Sequence, residues 1–422
     1  MKSTISAFTL LALACTPREP AGDEIGETAS ESTSSDSTST STSTQTSETG
    51  ELDTSSETTI EPDLPIDEAC LEPEPGQLCL RTIGFLFSVI RPSAVLVEDL
   101  DGDDRLDVIA VSVTSSLVRV APGQGEGEFG DWIDSDLSGA RGAALGQIDD
   151  DGALDLVLAS LVMPAGTGVA FGDGQGMFGL PLFKPTGGAP RAVVVGRIDD
   201  DEFDDVAVAD EEGNQVFLLI GDGLGGLSVG EGQPVGVEPY DLVLGDLDLD
   251  QIPDLATVDQ GSNTISVLWG EGGGAFSPVQ SEPVGAGPRG MASVDLDGDG
   301  DLDLLAANFD ADSVSILINQ AESAPRSFAT ATTLAVGDSP YAVAAGDITG
   351  DGIPDIVSAD SGAAQVSVLA SLEGRGHAPA LAFEVGLEPF DLALADLDGD
   401  GRLDVLSADF GTGGITLLGT AP

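Results

Sequence analysis

A single histidine, His377, stands in 422 residues, directly after the Glu373-Gly374-Arg375-Gly376 turn. It reads as an exposed loop residue, and no nucleophile–base constellation is visible around it or elsewhere, which disfavours an enzyme. Positive charge is also scarce. Fourteen Lys and Arg against 74 Asp and Glu leave a formal charge of −60, so nucleic acid and anionic membrane surfaces are excluded as partners by repulsion. There are three cysteines. Cys70 and Cys79 bracket a Pro/Gly-containing loop, with no further Cys or neighbouring His to complete a metal site. In an oxidising compartment they read as a local disulfide, the alternative being two unpaired thiols. The apolar stretch from Ile5 to Ala14, behind Lys2, is too short to cross a bilayer as a permanent helix and reads as a secretory signal over residues 1–14.

What the chain has in plenty is aspartate, and it is periodic. The frame D-x-D-x-D-x-x-x-D, complete in Asp295-Leu296-Asp297-Gly298-Asp299-Gly300-Asp301-Leu302-Asp303, recurs seven times, starting at positions 99, 147, 197, 246, 295, 347 and 396. A period near fifty residues signals an array of structural units. Carboxylates at alternating positions of a tight loop can all turn inward around a hard dication, and the frame reads as a calcium (Ca2+) loop. An EF-hand is excluded, because the twelfth residues include Ala110 and Ala306 rather than Glu.

Positions 1, 3, 5 and 9 supply side-chain oxygens. Loop 1 offers Asp99, Asp101, Asp103 and Asp107; loop 4 Asp246, Asp248, Asp250 and Asp254; loop 5 Asp295, Asp297, Asp299 and Asp303; loop 7 Asp396, Asp398, Asp400 and Asp404. Loop 6 has Asp347, Asp351 and Asp355 with Thr349, whose hydroxyl still carries an oxygen. In these five strong candidates position 7 adds a backbone carbonyl, from Arg105, Ile252, Asp301, Ile353 and Arg402. Loop 2 starts with Gln147, an amide oxygen, ahead of Asp149, Asp151 and Asp155. Loop 3 has Asp199, Asp201 and Asp205 but starts with Arg197, which can replace an ion electrostatically, and carries Glu202 where glycine often sits. About five sites are therefore expected, and up to seven. The alternative is acidic turns that bind no metal.

The flanks read as strands. Ala94-Val95-Leu96-Val97 precedes loop 1 and Val108-Ile109-Ala110-Val111 follows it, so each metal would sit in a hairpin turn. A third apolar run, such as Thr264-Ile265-Ser266-Val267-Leu268-Trp269, leads to a Gly-rich turn, Gly270-Glu271-Gly272-Gly273-Gly274, and a weaker fourth strand. Four short strands per repeat make the blade of a propeller, and the fold class is all-β, a seven-bladed β-propeller of four-stranded blades. Over residues 80–422 the chain resembles the FG-GAP/VCBS repeat family, whose calcium-loop blades also build the seven-bladed head of integrin α subunits.

The last repeat stops after its third strand, Gly414-Ile415-Thr416-Leu417-Leu418, while an unpaired run, Arg81 to Val89, precedes the first. That run is expected to complete the last blade and leave no open edge. Upstream, residues 15–69 are dominated by Ser, Thr, Glu and Asp and read as a disordered tether, followed by the 70–79 disulfide loop. Leu11-Ala12-Leu13-Ala14-Cys15 is similar to a bacterial lipobox, which implies export, a lipid on Cys15 and, with Thr16 rather than Asp next, sorting to the outer membrane. An ordinary cleaved signal is the alternative. Membrane contact is then through the anchor only.

Six residues before each loop, at the start of the innermost strand, stand Ser93, Arg141, Arg191, Tyr240, Arg289, Tyr341 and Phe390. They are expected to ring the mouth of the central channel, with Asp259, Asn263, Asn308, Phe309, Asp360, Asp409 and Phe410 in adjacent turns. Arginines interleaved with aromatics suit an anionic or carbohydrate ligand; the alternative is that they pair with nearby acids and plug the channel. The functional expectation is a calcium-binding, surface-tethered binding or adhesion module for an unknown protein or glycan. A polysaccharide-directed lyase or hydrolase, or an architectural envelope protein, remains as the alternative.

Overall fold

The computed structural model describes residues 78–420 apart from 89, 138, 162–164, 322 and 373–375. The signal, Cys15, the tether and Cys70 lie outside the described residues. Those described form seven principal antiparallel sheets, the blades, and three small two-stranded ribbons.

Blade 4 shows the pattern. Its strands, from the axis outward, are Pro239–Gly245, Asp254–Asp259, Thr264–Leu268 and Gln280–Pro283, each hydrogen-bonded to the next. All six residues of Asp254–Asp259 are buried, because this strand has a sheet neighbour on each side and a blade against each face. The outer strand alternates between half-buried and exposed. The apolar core lies between successive blades. Val95 and Val108 of blade 1 meet Leu406 and Leu417 of blade 7, while Leu96 and Ile109 meet Leu156 and Leu158 of blade 2.

Ring closure is as expected. Leu80–Phe87 pairs antiparallel with Gly414–Thr420, from Leu80 opposite Thr420 to Phe87 opposite Gly414, with an irregularity between Thr82 and Gly84. The first strand of the described chain is thus the outer strand of blade 7. The innermost strands of blades 7 and 1 pack together, and Val95 N–H donates to Asp391 Oδ2 at 3.0 Å across this junction.

The innermost strands of blades 3 to 7 begin with proline, at Pro190, Pro239, Pro288, Pro340 and Pro389. In each, the pairing with the second strand slips by one residue just after that proline. A bulge of this kind leaves one residue out of the ladder and re-aims its side chain. The residues so released are the expected ring residues Arg191, Tyr240, Arg289, Tyr341 and Phe390.

Candidate metal centres and the axial cluster

Each acidic loop joins the innermost strand of a blade to the second. The loop's own N–H groups organise the carboxylates. In loop 5, Asp295 Oδ1 accepts from Gly298 and Asp299 at 2.8 and 3.1 Å, and Oδ2 accepts from Gly300 at 3.0 Å. Loops 1, 6 and 7 repeat this pattern on Asp99, Asp347 and Asp396, and loop 4 keeps two of the three bonds on Asp246. The turn requires positive φ at positions 4 and 6, found at Gly298 and Gly300 and also at the non-glycine pair Leu249 and Gln251. Loop 2 retains it at Asp150 and Gly152, with Gln147 Oε1 accepting from Gly152 at 3.2 Å. Asp200 and Glu202 of loop 3 lack it, and Arg197 is exposed, so this loop has lost both the first carboxylate and the backbone form.

The ninth aspartate does a different job from the other three. In every loop its Oδ2 accepts the N–H of position 2, as from Leu296 to Asp303 at 2.9 Å. Its Oδ1 accepts an N–H sixteen residues later, or seventeen in loop 2, where the third strand ends: Gly123, Gly172, Gly221, Gly270, Asn319, Ser371 and Thr420 on Asp107, Asp155, Asp205, Asp254, Asp303, Asp355 and Asp404. This side chain clamps the loop to its blade. Burial, the largest cause, pushes Asp254 and Asp303 up to about 7 and Asp404 to about 6.

Four loops bring three carboxylates to a common point, with oxygens within 4.8 Å of one another. They are Asp246, Asp248 and Asp250; Asp295, Asp297 and Asp299; Asp396, Asp398 and Asp400; and Asp99, Asp101 and Asp107. In loop 1 the clamp residue takes part instead of Asp103, whose Oδ2 faces Arg105 Nη1 at 3.4 Å. Loops 2 and 3 form no such triad among the described residues, and Asp149 and Asp199 have their N–H groups drawn onto the clamps Asp155 and Asp205. Loop 6 combines Asp347 and Asp351 with Thr349 Oγ1, an oxygen that is buried and has no hydrogen-bond partner. All-oxygen donors, converging carboxylates and that buried hydroxyl fit a hard dication. At position 7, the N–H groups of Arg105, Ile252, Asp301, Ile353 and Arg402 donate to the position-5 carboxylates at 2.8–3.3 Å. The Asp301 side chain turns away and accepts from Ala321 N–H at 2.8 Å. Arg402 reaches loop 6, where a Cβ on Gly350 would come within 3.0 Å of its Nε.

The axial residues meet, but mostly below the surface. Arg191, Tyr240 and Tyr341 are buried outright and Phe390 nearly so, rather than forming an open ring. The Arg191 guanidinium lies 3.4 Å from the Tyr240 ring centroid and donates to Tyr341 Oη at 3.3 Å, while the two tyrosine hydroxyls hydrogen-bond to each other. Arg289 sits 3.4 Å from the Phe309 centroid, and Phe390 packs between Tyr341 and Phe410 with tilted rings, 4.6 Å from each centroid. Arg141 and Arg191 share Glu211, at 2.8 and 3.2 Å. Burial, the largest cause, brings Arg191 down to about 10, still charged at neutral pH. Bulged strands thus deliver arginines and aromatics that satisfy each other as a plug, and only its rim, including Arg289, Phe309 and Phe410, is partly exposed.

His377 is not an exposed loop residue. It lies in the ribbon of blade 6, half-buried, with Nδ1 3.2 Å from Ser371 Oγ, and burial lowers its pKa. With Asp297, Leu296, Ile318 and Leu372 it lines a cavity of about 430 Å³ between blades 5 and 6.

The FG-GAP-like repeat family pattern matches residues 246–306, 295–358 and 349–407. FG-GAP-like repeats thus occupy part of a seven-bladed β-propeller. No curated protein matches it. Among solved structures it is similar to BBS1N in complex with ARL6DN, at 12% identity and a TM-score of 0.55 over 82% of this chain and 97% of that one. It is also similar to the Pseudomonas aeruginosa periplasmic gluconolactonase PpgL, at 16% identity and 0.55 over 72% and 88%. At such identities the likeness is one of fold.

Proposed function

We propose that this propeller is a calcium-stabilised binding module held at the bacterial cell envelope. The observation that carries it is the convergence of three carboxylates in each of four equivalently placed loops. Calcium bound there would neutralise clustered negative charge in these loops, and Asp99, Asp246, Asp295 and Asp396 with their partners would be its ligands. A protein or glycan would meet the rim of the axial plug, where partly exposed Phe309, Phe410 and Arg289 offer aromatic faces and positive charge in an acidic chain. Export, a lipid on Cys15, the tether and a Cys70–Cys79 disulfide complete the reading, and the burial of Cys79 beside the closing strand suits that disulfide.

Calorimetry with calcium and with chelator tests it. At free calcium about ten times Kd, one site adds roughly 1.4 kcal/mol, so four add about 6 kcal/mol. For a domain of about 340 residues, with an unfolding entropy near 2.1 cal/mol/K per residue, that is a rise of about 8 °C in Tm. Equal melting temperatures would refute the metal role.

One observation favours a second reading, a hydrolase: Ser371 and His377 are hydrogen-bonded beside a cavity, on a fold shared with a gluconolactonase. Against it, Ser371 is buried and its N–H is held by Asp355. Lactone or ester turnover abolished by Ser371→Ala would establish the enzyme; no turnover leaves the binding module.

A further inference from the structure

Loop 4 already holds a cation. Arg326 belongs to the connection between the third and outer strands of blade 5, and its side chain crosses to blade 4. Its Nε donates to Asp248 Oδ2 at 2.6 Å and Nη2 lies 3.7 Å from Asp250 Oδ2, so one guanidinium spans two of the three carboxylates of this triad. The arm is built into place. Nη2 also donates to the Gly270 carbonyl at 3.4 Å, the guanidinium lies 5.6 Å from the Trp269 ring centroid, and Trp269 stacks on Phe328 at 6.0 Å. Gln280 Nε2 donates to the Arg326 carbonyl at 3.3 Å, and Arg326 takes a φ of 62°, a left-handed conformation that such surrounding contacts must impose. The Asp248 side chain is only 4% exposed beneath an arginine that is 37% exposed.

We propose that Arg326 is an internal competitor of calcium at loop 4, which makes this triad the weakest of the four and couples its filling to release of the Arg326 connection. The proposal rests on the calcium reading above. A unit positive charge seated on two carboxylates opposes a dication drawn to the same pair, and at a few ångströms in a water-like dielectric that opposition amounts to about tenfold in affinity. A guanidinium that instead oriented Asp248 for the ion would have the opposite sign, since its removal would weaken binding.

Terbium, a luminescent stand-in for calcium, separates these cases because Trp269 lies in contact with Arg326 and is one of only two tryptophans in the chain. In full-length Trp132→Phe protein, emission sensitised through tryptophan reports loop 4, while equilibrium dialysis counts all bound ions. With Arg326 intact, sensitised emission should rise only after most other sites have filled. Arg326→Gln should lower its midpoint about tenfold, and Arg326→Lys, which keeps the charge, should stay near the parent value. A midpoint unchanged or raised by Arg326→Gln, with several ions still bound, overturns the competitor and leaves the calcium reading standing. No bound ion at all overturns both. The order of filling in the Arg326 protein needs no substitution at that site, and early emission there would refute the proposal even if the glutamine variant failed to fold.

Discussion

Replacing Asp259 by Asn should stabilise the calcium-free protein at pH 8 and give no gain, or a small loss, at pH 4. Asp259 ends the second strand of blade 4, buried, with Thr257 Oγ1 donating to Oδ1 at 2.8 Å and Thr264 Oγ1 and Ser266 Oγ donating to Oδ2 at 3.0 and 2.7 Å. Burial is the largest influence and outweighs those donors, pushing the carboxyl up to about 6. In the unfolded chain an Asp titrates near 3.9, and a gap of about two units corresponds to roughly 3 kcal/mol. The folded protein holds this proton where the unfolded chain has lost it, so stability falls as pH rises from about 4 to about 6 and stays lower above. Asparagine has no proton to lose. Its fit is already on view in blade 5, where Asn308 occupies the equivalent place and donates to Ser313 and Ser315 Oγ at 3.1 and 2.9 Å. Allowing about 1 kcal/mol for hydroxyls that must turn to accept, the expected gain is about 2 kcal/mol at pH 8. Urea unfolding in chelator at the two pH values measures it. A gain of equal size at both, or a loss at pH 8, would show that the Asp259 carboxylate is not paying a burial penalty. Asp409, held at about 6 by the same causes, gives an independent repeat.

Deleting residues 80–87 should strip blade 7 of its outer strand and bare the edge of Gly414–Thr420, with a loss of about 5 kcal/mol for a ladder of several hydrogen bonds. Unchanged thermal unfolding would refute the closure. Labelled palmitate should enter the intact chain in a bacterial host and not the Cys15→Ala variant; equal labelling of the two would rule out the anchor.

The fold was legible because every rule it needs acts within one repeat. A period near fifty, carboxylates at alternating positions and a spare strand at one end of the array lead to closed blades without knowledge of any neighbour. What could not be read depends on residues that only the circle brings together. The ninth aspartate looks like another ligand in a nine-residue window, yet its Oδ1 takes an N–H sixteen residues away at the far end of the third strand. The axial residues were found by their offset, and the proline before five of them was the available sign of a bulge that turns them inward. Whether they would be open or sealed turned on partners such as Glu211, 70 residues from Arg141, and Tyr341, 150 residues from Arg191. Arg326 makes the same point at a metal loop. No aspartate-rich loop adjoins it in sequence, but the ring sets it on Asp248, 78 residues earlier, so equal carboxylate counts need not mean equal affinity. In a closed array the repeat therefore dictates what each unit can do, and the junctions between units decide which of them do it.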